Sequence, residues 1–228
     1  MLLKWGMSKA VSSLYSPHPS LQMVTDWVES LKEKTGKSLP QWLIYIENNG
    51  PKSEAARREW LTRECKFGTN SAWWLAEKSV GKGSEDDSPE AYLEAATEWV
   101  EKMYAKKQGI KPIHDAIVEY GLKIGDDVKV CPCQTIVPLY RNHVFAQIKP
   151  STRDRLDFGL CLTPLLKEGF TDFPEQLINT GGFEKKDRIT HCFQLATVKD
   201  FDGEVKKWLK KAYSLDKKEA KAKPVKLK

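Results

Sequence analysis

The period of the apolar residues changes once along this chain, and that change limits the fold more than any other feature. From Leu21 to about residue 122 hydrophobic side chains recur at helical spacing, as in Leu21, Val24, Trp27, Val28 and Leu31. Beyond it the period is two. "VKVCPC", "TIVPLYR", "HVFAQIK", "RLDFGLCL" and "RITHCFQLA" are short, rich in β-branched and aromatic residues, and separated by turn signals. A last helical stripe, Val205, Trp208, Leu209 and Ala212, follows at about 203–213. Helices, then an antiparallel meander, then a helix predict an α+β chain in which a helical bundle precedes an antiparallel sheet flanked by helices.

Gly-containing breaks at "KTGKS", "NNGPKS" and "KFGTN" divide the first part into about four short helices. "GKGSEDDSPE" has the composition of an exposed connection. The expected organisation is a helical bundle over 1–83, ordered from about residue 20, a linker at 84–90, an α+β domain over 91–214 and a disordered basic tail at 215–228. Ser88 and Pro89 open the first helix after the linker, and a second runs at about 112–122.

Eight Trp and a hydrophobic content of 40% in 228 residues are enough for real cores. No run of about 18 apolar residues exists, and the first twenty residues lack signal-peptide character, so the expectation is a cytoplasmic chain with no membrane contact. Five cysteines argue against a disulfide framework. The net charge of +6 is unevenly spread: 12 Lys/Arg against 8 Asp/Glu over 1–83, 6 against 2 over 215–228, and 19 against 21 between them. Long-range attraction to phosphate therefore belongs to the N-terminal part and the tail.

"IKPSTRDRLDFGLCL" is the densest cluster of candidate ligand-binding groups. With Pro150–Asp154 as a hairpin loop, Lys149 faces Arg155 and Gln147 faces Asp157, while Leu156, Phe158 and Leu160 cover the core. Lys149, Arg153 and Arg155, with Ser151, Thr152 and Asp157, suit a phosphate or carboxylate, either on an anionic small molecule or on a protein partner. Arg188 and His191, from a strand of the same sheet, extend that surface. Should the chain be an enzyme on a phosphorylated or carboxylated small molecule, His191 is the acid or base and Asp157 orients it.

"SEAARREWLTRECKFGTNSAWWLAEKS" has the outline of a helix-turn-helix, with Arg57, Arg58, Arg63 and Lys66 placed for phosphates and Asn70 for a base edge of DNA; Trp73 and Trp74 suit packing better. Cys131-Pro132-Cys133 lacks zinc spacing, and no metal site is predicted. No P-loop, G-x-G-x-x-G, G-x-S-x-G or H-E-x-x-H is present, so no cofactor is implied and no enzyme class is marked.

Two stretches, "EKTGKSLPQWLIYIENNG" and "REWLTRECKFGTNSAWWLA", resemble the helical N-terminal domain of a bacterial family of unknown function. "VPLYRNHVFAQIKPSTRDRLDFGLCL", "GGF" and "RITHCFQL" resemble the α+β domain that accompanies it, sometimes labelled a predicted transport protein. The matching positions are Lys149, Ser151, Thr152, Arg153, Asp157, Gly181, Gly182, Phe183 and His191. A remoter likeness to iron-chaperone-like α+β domains concerns fold alone. The resemblance implies the architecture and no activity.

Overall fold

The computed structural model describes residues 14–217, so the predictions for 1–13 and for 218–228 of the tail lie outside the described residues. The described chain forms two compact units, one holding Pro17–Ala95 and the other 96–217 together with 14–16.

The first unit is helical: α1 (Ser20–Thr35), α2 (Leu39–Asn49), α3 (Glu54–Arg63) and α4 (Thr69–Ser79). Local chemistry sets the ends. Gly36 closes α1 in the left-handed conformation, φ 79°, its N–H returning to the Lys32 carbonyl. Ser38 and Gln41 form a capping box on α2, and the Ser53 hydroxyl accepts from Ala56 N–H at the start of α3. Leu31, Trp42, Ile46, Leu61, Ala72, Leu75 and Ala76 fill the core, with Trp27 edge-on to Trp74 at 5.4 Å.

The stretch expected as an open linker is tied to α4. Trp74 Nε1–H donates to Asp86 at 2.9 Å and Lys78 pairs with Asp87 at 2.5 Å. Aromatic and ionic partners on α4 hold these polar residues, and the division between units falls in the following helix, α5 (Pro89–Tyr104), at 95/96. The Ser88 hydroxyl accepts from Ala91 N–H at its start.

The second unit continues through α6 (Lys111–Leu122), β1 (Lys129–Val130), β2 (Val137–Tyr140), β3 (Val144–Lys149), β4 (Leu156–Leu160), α7 (Thr163–Lys167), β5 (Ile178–Asn179), β6 (His191–Leu195) and α8 (Gly203–Leu215). The strands form one antiparallel sheet in the order β1-β2-β3-β4-β6-β5. The fold is α+β. One sheet face carries Ile148, Phe158, Leu160, Phe193 and Leu195, all buried, and α8 adds Val205, Trp208, Leu209 and Ala212 to the same core. Asp202 caps α8 through Glu204 and Val205 N–H.

Two details depart from simple alternation and from the expected tail. The pairing of β2 with β3 slips between Tyr140↔Val144 and Leu139↔Ala146, leaving Phe145 as a bulge residue, fully buried with its ring 5.6 Å from Tyr213. And α8 runs to Leu215 and is followed by a buried Asp216, so the tail does not begin at 215. The reason is tertiary: Asp216 finds its partners more than seventy residues upstream.

Candidate functional site

The β3–β4 hairpin is longer in its loop than the sequence reading proposed. Lys149 pairs with Asp157 and Gln147 with Gly159, a register shifted by two. Burial decides it: Leu156 is completely buried and starts β4, leaving Pro150 to Arg155 as the connection, with a turn closed by Thr152 N–H to Arg155 O. Because the shift is even, every residue keeps its face. Lys149, Asp157, Gln147, Gly159 and Cys192 share the face opposite the core.

Over that face lies the chain from Thr180 to Ile189. A Cβ on Gly159 would meet Ile189 Cγ2 at 2.5 Å, so a glycine is what lets this segment approach the strand. The segment needs its own glycines too. Gly181 has φ 69°, and a Cβ on Gly182 would lie 2.0 Å from the Ile189 carbonyl oxygen. The Thr180 hydroxyl donates to that same carbonyl at 3.0 Å. Sheet and segment enclose a recess of about 420 Å³ lined by Gln147, Lys149, Asp157, Thr180, Asp187 and Arg188, floored by Gly159, Ile189 and Cys192.

The predicted ligand groups are distributed as follows. Asp157 is engaged at both oxygens, by the Ser151 hydroxyl at Oδ2 and by Arg155 Nε at Oδ1, 3.1 Å. Thr152 donates to Asp154 at 2.8 Å, and that hydroxyl is the main reason the Asp154 carboxyl is held below its usual range. Arg153 is exposed in the loop and makes no ion pair among the described residues. Lys149 is exposed at the rim and, among the described residues, makes none either. Arg188 lines the recess while donating through Nε to Val144 O at 2.8 Å and through Nη2 to Asp216 at 3.1 Å. The structure thus brings Lys149, Ser151, Arg155, Asp157 and Arg188 together.

His191 does not join them. It pairs with Leu160, is 2% exposed, and stacks on Phe173 with ring centroids 4.3 Å apart on the core face. Burial pushes its imidazole below the ordinary range, against an opposing pull from Glu184. Since Asp157 is on the other face, the pairing of His191 as acid or base with Asp157 as its orienter is ruled out. The alternation rule that exposes Cys192 buries His191.

In the helical unit, Arg57 is not available to phosphate. It is 3% exposed and donates to Pro51 O at 2.8 Å, to Ser79 O and Oγ at 2.9 Å, and to Glu47 at 2.6 Å. It clamps the start of α3 to the end of α4, a packing role that helical spacing alone does not reveal. Arg58 pairs with Glu54 and lies 4.1 Å over the Trp73 ring. Arg63, Lys66 and Asn70 are exposed, Lys66 with φ 60° in the turn before α4.

One cluster shares only Arg188 with the predicted site residues. Asp216, its side chain 4% exposed, accepts from Asn142 N–H at 2.9 Å and His143 N–H at 2.8 Å through Oδ2, and from His143 Nδ1 at 2.9 Å and Arg188 Nη2 through Oδ1. Nothing local marks Asp216, which lies one residue past the end of α8. Among the described residues no group of three or more His, Cys, Asp or Glu could hold a metal.

A family profile described as Domain of unknown function (DUF5655) matches residues 100–216, the α+β unit from within α5 to Asp216. The chain belongs to this family. Its DUF5655 domain holds both the recess over β3 and β4 and the Asp216 cluster. No curated protein and no solved structure matches the chain. Among the described residues no helix is long and apolar enough to cross a membrane.

Proposed function

We propose that the DUF5655 domain binds a small anionic ligand in the recess between the β3–β4 surface and the Thr180–Ile189 segment. One observation carries the reading. Lys149 faces Asp157 across the strands, yet both oxygens of Asp157 are taken by Ser151 and Arg155, and among the described residues the Lys149 ammonium at the rim has no ion-pair partner. Arg153 adds a second exposed cation in the adjoining loop. Arg155 and Ser151 act by fixing Asp157, while Arg188 is steadied by Val144 O and Asp216. The Asp187 carboxylate on the same lining favours a ligand that carries a hydrogen-bond donor beside its anionic group. In this reading the protein is a soluble, cytoplasmic binding protein whose five cysteines are free.

The test is thermal unfolding with inorganic phosphate and with citrate. Saturating ligand raises the midpoint of the wild type by RT ln(1 + [L]/Kd), and Lys149→Ala combined with Arg153→Ala removes the rise while leaving the ligand-free midpoint within about 2 °C. Equal stabilisation of wild type and double variant refutes the site.

A second reading, contact with DNA by the helical unit, rests on the half-exposed Trp73 with Arg58 across its ring and on exposed Arg63, Lys66 and Asn70. It requires retardation of DNA at low salt that Arg63→Ala with Lys66→Ala weakens.

A further inference from the structure

A second recess, about 300 Å³, lies beside the Asp216 cluster and shares only Arg188 with the first. One carboxylate oxygen organises its polar end. Asp216 Oδ1 accepts from His143 Nδ1 at 2.9 Å and from Arg188 Nη2 at 3.1 Å, so imidazole and guanidinium are held side by side. Arg188 Nε also donates to the carbonyl of Val144, the residue after His143, which fixes the guanidinium against the same turn. Both side chains line the recess, and at 52% and 44% exposure each keeps part of its surface open.

The groups left for a ligand differ in kind. Among the described residues Asp216 is the one carboxylate in this lining, and its side-chain oxygens are already taken by four donors. Arg188 has N–H groups beyond these two bonds, and they suit a carboxylate. A neutral His143 whose Nδ1 proton lies on Asp216 carries its lone pair on Nε2 and accepts a hydrogen bond there. Lys167 adds a positive charge to the lining, and Pro164, Ala212 and Leu215 give it an apolar wall.

We propose that this recess binds a small 2-hydroxy monocarboxylate with an apolar side chain. Its carboxylate lies on Arg188, its hydroxyl donates to His143 Nε2, and its side chain covers the apolar wall. Asp216 is a positioning residue that orients both recognition groups and touches no ligand. The site is separate from the recess over β3 and β4 and selects a different molecule. Inorganic phosphate has no body to bury against the wall, and citrate would press further carboxylates against apolar carbon, which costs their desolvation.

The experiment is titration of the nitrogen-15-labelled full-length protein with racemic mandelate at pH 8, followed by NMR. The expected result is movement of the Asn142, His143, Thr163 and Lys167 amide signals while those of Lys149 and Gly159 stay in place. Phenylacetate, which lacks only the hydroxyl, binds about tenfold more weakly, and His143→Phe abolishes that preference. Lactate, which lacks the phenyl group, binds at least about tenfold more weakly than mandelate. Lys149→Ala combined with Arg153→Ala binds mandelate as the wild type does, so failure of one site is read independently of the other. Equal wild-type affinities for mandelate and phenylacetate overturn the proposal whatever the stability of the variant. Signal movement confined to Lys149 and Gly159, no movement at all, or a hydroxyl preference that persists in His143→Phe overturns it as well.

Discussion

Asp216→Ala tests whether the residue just past α8 is part of the folded domain. The substitution leaves four donors without their acceptor: Asn142 N–H, His143 N–H, His143 Nδ1 and Arg188 Nη2. The last two belong to side chains that are 52% and 44% exposed and can turn to water, so together they add about 1 kcal/mol or less. The two backbone donors cannot turn. Each loses a hydrogen bond to a charged acceptor, giving about 3 kcal/mol for the pair and about 3–4 kcal/mol in all. For a unit of this size that lowers its midpoint by about 10–20 °C. The clean assay is amide hydrogen exchange of β3 and β4, which reports the DUF5655 unit separately from the helical one. A loss of 3 kcal/mol accelerates the slowest amides roughly a hundredfold. Asp154→Ala, in the exposed loop, is the control and leaves exchange within about twofold. If Asp216→Ala also stays within about twofold, the cluster does not hold the domain together and the reasoning fails.

Two further outcomes follow from buried groups. His114 is 1% exposed beside the Tyr104 hydroxyl at 3.1 Å, and burial lowers its pKa to about 4, so folding keeps it neutral. On acidification the unfolded chain takes up this proton first. Stability is therefore flat above about pH 6.5 and falls between there and about pH 4, by about 3 kcal/mol from this residue; His114→Gln flattens that limb of a urea-midpoint titration, and an unchanged slope contradicts it. Arg57→Met removes the bonds to Pro51 O and to Ser79 and destabilises the helical unit by about 2–4 kcal/mol, read as faster exchange in α3 and α4, whereas an accessible phosphate-binding arginine would leave exchange unchanged.

Much of the architecture was legible because it depends on local rules. Helical spacing and Gly breaks gave four helices before residue 80, and period two gave the strands and their faces. Faces survived even where pairing was misjudged, since the β3–β4 register moved by an even number of residues. His191 shows the limit. It stands in a strand beside Cys192, three residues after Arg188, and its chemistry suggested a site, but whether an imidazole faces water or Phe173 depends on which neighbour its strand pairs with. Arg57 misled for a related reason: an arginine on a helix reads as solvated unless the carbonyls of Pro51 and Ser79 are known to converge on it.

By itself, then, the sequence determined the α+β class, the order of elements and the alternation that makes "IKPSTRDRLDFGLCL" one buried and one polar surface. Each of these follows from the period of side chains within a few residues. Tertiary structure alone decided that Asp157 is satisfied by Ser151 and Arg155, that a glycine-bearing segment roofs Gly159, and that Asp216 meets His143 from 73 residues away. Those contacts join groups distant in sequence, and no local pattern specifies which donor will lie within 3 Å of which acceptor once the chain has closed on itself.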